Sequence, residues 1–317
     1  MSLPPIKGFI PNTLIDWEGR VAAEIFLSGC NFRCPFCHAS HLVRGDDAET
    51  IPFHAVLRQI ESERKWLDGV IISGGEPTLH PRFFQVLRMA AEVGFSNIQV
   101  ATNGLKFASL DFARRAAEAG LHTLYLQFDG LSDDVYVRTR GRPLWQQKLA
   151  CIENCRQVGL KVCLVPTIVR GLNDDQVGEI FHFAVANVDV VNAISYQPVC
   201  FTGRIDQSQR LQQRYTLGDL AHDIAAASGA VPLRDMYPLS IVVPLAQFLQ
   251  ALTGDPKIRP SCHPDCAFGT YFLVSPQGQA YPFPRVIDVE GMFSQMNRIA
   301  ADIRRKGKPT WFDKVRV

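Results

Sequence analysis

Ser28-Gly29-Cys30-Asn31-Phe32-Arg33-Cys34-Pro35-Phe36-Cys37-His38 follows directly on an apolar run at 21–27 that reads as a strand. Its three cysteines are spaced C-x₃-C-x₂-C on what must be one short loop. Thiolates are soft ligands, and three of them on a tight loop suit an iron–sulfur cluster. A [4Fe–4S] cluster on Cys30, Cys34 and Cys37 keeps one iron without a protein ligand, an open position where a small molecule can bind. The same spacing also admits a structural zinc site, with His38 as a fourth ligand.

Downstream of this loop, strand and helix patterns alternate. Short apolar runs at 69–73, 97–101, 123–127, 161–166 and 190–196 read as buried strands. Between and after them, 52–67, 81–93, 110–119, 144–158 and 175–186 have helical periodicity, as in Phe53, Val56, Leu57 and Ile60 on one face. The stretch after Asp129-Gly130 reads as a polar loop, and 1–19 as an irregular, Pro-rich lead-in. Counting the strand at 21–27, the units number six, too few for the eight of a closed barrel. The expectation is an α/β fold, a partial (β/α)₆ TIM-like barrel over 20–204, with chemistry at the C-terminal ends of the strands.

Polar or Gly-rich residues stand at nearly every one of those ends. They are Gly74-Gly75-Glu76-Pro77, Thr102-Asn103-Gly104, Gln127 with Asp129-Gly130, Pro166-Thr167, and Gln197-Pro198. Read alone, Gly74-Gly75-Glu76-Pro77 and Asp129-Gly130 are equally good turns. Arg138 and Arg140 lie in the loop that follows.

After Phe201 the pattern changes, and 205–317 reads as an α+β extension. It holds a helix at 217–227, a Pro-rich and charged stretch at 254–264, and Ser261-Cys262-His263-Pro264-Asp265-Cys266. Runs at 270–274 and 279–283 flank the turn Ser275-Pro276-Gln277-Gly278, a hairpin. The tail from Asn297 onward is basic. Cys151, Cys155 and Cys163 fall on core faces and read as apolar filling.

Composition narrows the function. Of 317 residues, 47% are hydrophobic and 20% charged, which is ordinary for a globular enzyme. The 33 basic and 31 acidic residues leave a net charge of +2 and no electrostatic case for nucleic acid. Nine clustered cysteines point to metal in a reducing compartment rather than a disulfide scaffold. Residues 1–19 lack the pattern of a signal peptide, and the longest apolar candidate, 241–252, is too short to span a bilayer and contains Pro244. The protein reads as cytoplasmic.

Taken with Gly74-Gly75-Glu76 one helix downstream, the Cys30-Cys34-Cys37 motif resembles that of the radical S-adenosylmethionine (SAM) enzymes. The resemblance implies that SAM chelates the open iron through its amine and carboxylate. One electron then cleaves it to a 5′-deoxyadenosyl radical that removes hydrogen from carbon. It further implies SAM contacts from Phe36 near the adenine, from Gly74, Gly75 and Glu76 at the amine, and from Thr102 and Asn103. Gln127, Asp129 and Arg140 would face the carboxylate or ribose, and Thr167, at the strand end that packs the adenine, and Gln197 would also contact the cofactor. A flavodoxin- or ferredoxin-type reductase would donate the electron. Cys262 and Cys266, with Gly269, Pro276 and Gly278, resemble the opening of an auxiliary-cluster motif, but Phe283 stands where its closing cysteine would fall. A second cluster would then need Cys200 or His263.

Further stretches are similar to one subgroup, the archaeal tetraether-lipid synthases and pterin-precursor methyltransferases. They include Leu164-Val165-Pro166-Thr167, Gly171-Leu172-Asn173-Asp174, Tyr196-Gln197-Pro198-Val199 and Cys262-His263-Pro264. This resemblance implies carbon–carbon bond formation or methyl/alkyl transfer on a small-molecule or lipid-like substrate. The rivals are a radical maturase of a peptide or cofactor, and a zinc-stabilised binding module.

Overall fold

The computed structural model describes residues 6–14, 16–17, 20–43, 49–95, 97–200, 207–254 and 266–310. The chain divides into two compact units, Met1–Thr216 and Leu217–Val317.

The first unit is built on one open seven-stranded sheet. Its strands are β1 (Gly8–Thr13), β2 (Ala22–Leu27), β3 (Gly69–Gly74), β4 (Asn97–Thr102), β5 (Thr123–Gln127), β6 (Lys161–Val165) and β8 (Val191–Ile194); a short β7 (Thr167–Ile168) pairs with β9 (Gln197–Pro198) beyond its rim. From β2 to β8 all the pairings are parallel, and strand order follows chain order. Crossovers that always advance in one direction, with the usual right-handed connection, place the crossover helices on one face and curl the sheet. The expected α/β barrel fragment is therefore the observed fold.

The helices are α1 (Phe53–Glu63), α2 (Phe83–Glu92), α3 (Leu110–Glu118), α4 (Asp133–Arg140), α5 (Trp145–Val158), α6 (Val177–Ala186) and α7 (Gln207–Gln213). One set of alternate strand residues, including Ile25, Leu27, Ile72, Val100, Leu124 and Leu164, packs with Ile60, Phe83, Leu87 and Ile152 into one core. Each fully buried Leu, Ile or Phe there contributes about 1.5–3 kcal/mol. The other face carries polar side chains. Glu24 and Gln99 are buried on it, and Tyr125 pairs in register with Cys163.

Two stretches differ from the sequence expectation. The lead-in contains β1, which pairs antiparallel with β2 and forms one edge of the sheet. The stretch read as a polar loop contains α4, which is polar because only Val135, Tyr136 and Thr139 are buried. Asp133 and Asp134 in its first turn and Arg138 and Arg140 in its last suit the helix dipole, and Gly141 ends it with φ +81°.

The second unit is α+β. It contains α8 (Leu217–Ser228), β10 (Tyr237–Pro238), α9 (Val243–Thr253), β11 (Phe268–Gly269), the hairpin β12 (Phe272–Val274) and β13 (Ala280–Pro282), and α10 (Val289–Lys306). Phe248 of α9 packs with Met296, Ile299, Ala300 and Ile303 of α10. Residues 297–306 of the stretch read as a basic tail are thus the second half of a helix.

Candidate active site

The loop after β2 is held by its stem. Gly29 N–H donates to Leu42 O at 2.9 Å and Cys30 N–H to Val43 O at 3.1 Å. Within it, Arg33 Nη1 donates to the carbonyls of Cys30 and Phe32. Cys34 is buried, Cys30 and Cys37 are half-buried, and all three pack with Phe32 and Phe36 in one cluster of side chains. Burial pushes the Cys30 thiol up, the Phe32 N–H opposes this, and Glu76, Cys34 and Cys37 add to it. His38, the fourth ligand of the zinc alternative, is exposed. Among the described residues, no group of three or more His, Cys, Asp or Glu side chains is gathered to hold a single ion. Three thiols on one short loop are a donor set that fits an iron–sulfur cluster rather than a hard cation.

Gly74-Gly75-Glu76 is locked against that stem. Gly75 N–H donates to Leu27 O at 2.8 Å and Glu76 N–H to Gly29 O at 2.6 Å. A Cβ on Gly74 would stand 2.1 Å from Leu27 O, and one on Gly75 2.2 Å from Gly29 O. Both glycines are therefore required by the chain's own backbone. Glu76 is 2% exposed. Its carboxylate accepts from Thr78 N–H and Oγ1, from Thr102 Oγ1 at 2.7 Å and from Asn103 N–H at 2.6 Å. Burial raises its pKa while these donors lower it. Asn103 in turn donates through Nδ2 to Asn31 Oδ1 on the cysteine loop at 2.8 Å. Glu76 thus joins the ends of β3 and β4, with Asn103 as the link to the cysteine loop.

At the end of β5, Asp129 is fully buried. It accepts from Arg140 Nε at 2.5 Å and Nη2 at 2.8 Å, from Gln127 Nε2 at 2.5 Å and from Thr167 N–H at 3.3 Å. The Arg140 guanidinium also lies over the Phe36 ring, 4.8 Å from its centroid. Burial pulls the Arg140 pKa down, but the Asp129 carboxylate and contact with Cys34 outweigh it and hold the guanidinium above its ordinary value. Asp129 and Arg140, both expected from the family resemblance to face SAM, are here bound to each other. Arg138 donates instead to the carbonyls of Gly171 and Leu172.

Thr167 Oγ1 lies 3.4 Å from Arg140 Nη2, at the edge of the same group. Gln197 is exposed and donates to Tyr125 OH at 3.0 Å, which also bonds Ser195 Oγ at 2.8 Å. Two buried residues to which the sequence assigned no site role complete the arrangement. Asn173 Nδ2 donates to the carbonyls of Asp129 and Thr167. Lys148 Nζ donates to Asn103 O, Gln127 O and Gln127 Oε1. A lysine on the apolar stripe of α5, in step with Cys151, Ile152 and Cys155, was the signal available for the second. Cys262 and His263 lie outside the described residues, Cys266 and Cys200 are exposed, and nothing described gathers a second ligand set around them.

A curled parallel β/α sheet that collects a thiol loop, a Gly-Gly-Glu turn and polar strand ends at one rim defines an α/β enzyme built for a metal cofactor. The family model described as "Radical SAM superfamily" matches residues 25–184. The chain belongs to that superfamily, which implies a [4Fe–4S] cluster and SAM. It is 40% identical, over 267 residues, to 7,8-dihydro-6-hydroxymethylpterin dimethyltransferase of Methanocaldococcus jannaschii, covering 83% of this chain and 53% of that protein. It is also 26% identical to GTP 3′,8-cyclase of Helicobacter pylori, covering 78% of this chain and 82% of the other. Among solved structures, Streptococcus suis SuiB bound to precursor peptide SuiA matches with a TM-score of 0.50 at 19% identity, over 62% of this chain and 43% of that one. This last likeness concerns the fold alone. The chain spans about half the length of its pterin-modifying relative. No helix among the described residues is long and apolar enough to cross a membrane.

Proposed function

We propose that the chain transfers a methyl or other one-carbon group to an unactivated carbon of a small heterocycle of the reduced-pterin kind. The observation that carries this reading is the joining of the cysteine loop to the ends of β3 and β4 through Glu76 and Asn103, and to the end of β5 through Asp129, Arg140 and Phe36. The pterin class rests on the relative's name and its 40% identity. Cys30, Cys34 and Cys37 would hold the [4Fe–4S] cluster. When bound, it supplies the electron that cleaves SAM, and the radical chemistry belongs to the cofactor.

This chain's residues position and exclude water. Phe36, its ring covered by Arg140, offers an apolar surface for the adenine. The rim of Gly74, Gly75, Thr102, Asn103 and Thr167 offers backbone and small polar groups. Glu76 and Asp129 we assign to holding that rim together, since protein donors already surround both carboxylates. Tyr125 lies on the polar face of the sheet and Gln197, beyond the rim, donates to its hydroxyl; a heterocycle with N–H and C=O edges would find partners there. A flavodoxin- or ferredoxin-type donor, a cytoplasmic setting and a second cluster at Cys262 and Cys266 belong to the same proposal.

The test is anaerobic incubation with methyl-labelled SAM, reductant and 7,8-dihydro-6-hydroxymethylpterin, followed by mass spectrometry. Label on a pterin carbon is expected. Deoxyadenosine formed in response to a peptide, with the pterin unchanged, would refute the assignment in favour of a maturase.

A further inference from the structure

Lys148 sits in the first turns of α5, on the side facing the sheet, and is 1% exposed. Among the described residues no other Lys, Arg or His is so deeply buried. Local energetics do not favour it. An unpaired buried ammonium is strongly disfavoured, and the N-terminal end of a helix disfavours positive charge. A Leu or Met would continue the stripe formed by Cys151, Ile152 and Cys155.

What compensates is a complete set of acceptors. Nζ reaches Asn103 O at 2.6 Å, Gln127 O at 2.6 Å and Gln127 Oε1 at 2.9 Å. An ammonium has three N–H groups, so all are used. Burial pushes its pKa down to about 8, with Asp129 the strongest influence in the other direction, Cys151 and Glu76 aiding Asp129, and Arg140 aiding burial. The ring of Tyr136 lies 5.7 Å away.

Those acceptors sit on two neighbouring strand ends, and each continues to the cysteine loop. From Asn103 the path runs through Nδ2 to Asn31, the residue after Cys30. From Gln127 it runs through Nε2 to Asp129, then Arg140, then the face of Phe36, the residue before Cys37. The second path depends on which way the Gln127 amide faces. Lysine can only donate, so Nζ fixes the oxygen side and thereby turns the NH₂ side to Asp129.

We propose that Lys148 is a positioning residue of the SAM site. It holds both flanks of the cysteine loop in register with the ends of β4 and β5, so that SAM affinity, rather than cluster assembly, depends on it. This rests on the reading of Cys30, Cys34 and Cys37 as a cluster-and-SAM site.

The experiment compares reconstituted wild type with Lys148→Met. Iron content is counted, and SAM binding is followed by equilibrium dialysis and by the SAM-dependent change in the electron paramagnetic resonance of the reduced cluster. The expected result is unchanged iron with SAM affinity reduced about tenfold or more. Wild type and Lys148→Met binding SAM equally would overturn the role of Lys148 alone. Wild type that takes up iron but binds no SAM would overturn the underlying reading instead. A folded Lys148→Met that fails to hold iron would also overturn the role of Lys148, and if Lys148→Met fails to fold, Lys148→Ala is titrated with propylamine and, as a control, propanol. Recovery of SAM affinity with the amine only supports the proposal, and recovery with both or neither refutes it.

Discussion

Replacing Asp129 with alanine should destabilise the first unit severely even without any cofactor, and replacing Arg140 as well should recover much of the loss. The Asp129 side chain is 0% exposed and that of Arg140 9%, with the closest approach 2.5 Å. Removing one member of such a pair strands the other charge in a dry setting, at about 3–5 kcal/mol. The N–H groups of Gln127 and Thr167 lose an acceptor at the same time, each worth roughly 1 kcal/mol or more. These effects overlap, so about 4 kcal/mol is the expected total. In Asp129→Ala with Arg140→Leu neither charge is buried, and such replacements are often close to neutral. A coupling of about 2–3 kcal/mol should follow from the double-mutant cycle. Urea unfolding followed by tryptophan fluorescence suits this test, because Trp17, Trp66 and Trp145 lie in the first unit. With a slope of about 2.5 kcal/mol per M, the midpoint should fall by about 1.6 M. A fall below about 0.4 M, or a double variant no more stable than Asp129→Ala, would refute the pair's structural role.

Gly75→Ala should be strongly destabilising, by about 2–4 kcal/mol, because its Cβ would meet the Gly29 carbonyl, a backbone group that cannot rotate away; thermal unfolding of the cofactor-free protein checks it. Glu76→Gln replaces an acceptor-only group with an amide that cannot satisfy four donors, and should lower stability by about 1–3 kcal/mol in the same assay. Glu24 is raised from 4.5 to about 7, first by burial and then by Asp16. The native state therefore holds this proton more tightly than the unfolded chain, and wild type loses stability as pH rises through this interval. Glu24→Gln should be more stable than wild type at pH 8, on the order of 2 kcal/mol, and the advantage should vanish below about pH 4.5. Equal stability at both pH values would contradict it.

The β/α alternation was legible because buried parallel strands are short, continuous apolar runs, and the helices between them keep their stripes. What escaped was the structure whose stability lies outside those patterns. Strand β1 contains Pro11 and exposed residues, which an edge strand tolerates and a sequence reading takes for irregular chain. Helix α4 buries only three residues, so its evidence was in the termini: acids first, arginines last, then Gly141. The C-terminal half of α10 was masked by its basic surface, although Met296, Ile299, Ala300 and Ile303 keep the helical step.

The rim residues were legible by position, less so by partner. Glu76, Asn103 and Gln127 could be placed at strand ends, but nothing in spacing says that Asp129 answers Arg140 eleven residues on. Nor could spacing show that the two glycines of Gly74-Gly75 are demanded by Leu27 and Gly29. Lys148 was hidden by the ordinary expectation that a helix lysine faces water.

The central claim is that Cys30, Cys34 and Cys37 hold a [4Fe–4S] cluster that serves SAM. The most direct measurement is anaerobic reconstitution with iron and sulfide, an iron count, and assay for 5′-deoxyadenosine after adding dithionite and SAM. The account predicts about four irons per chain from these cysteines, with deoxyadenosine formed and both lost in Cys34→Ala. Bound zinc in place of iron, with no deoxyadenosine, would contradict it.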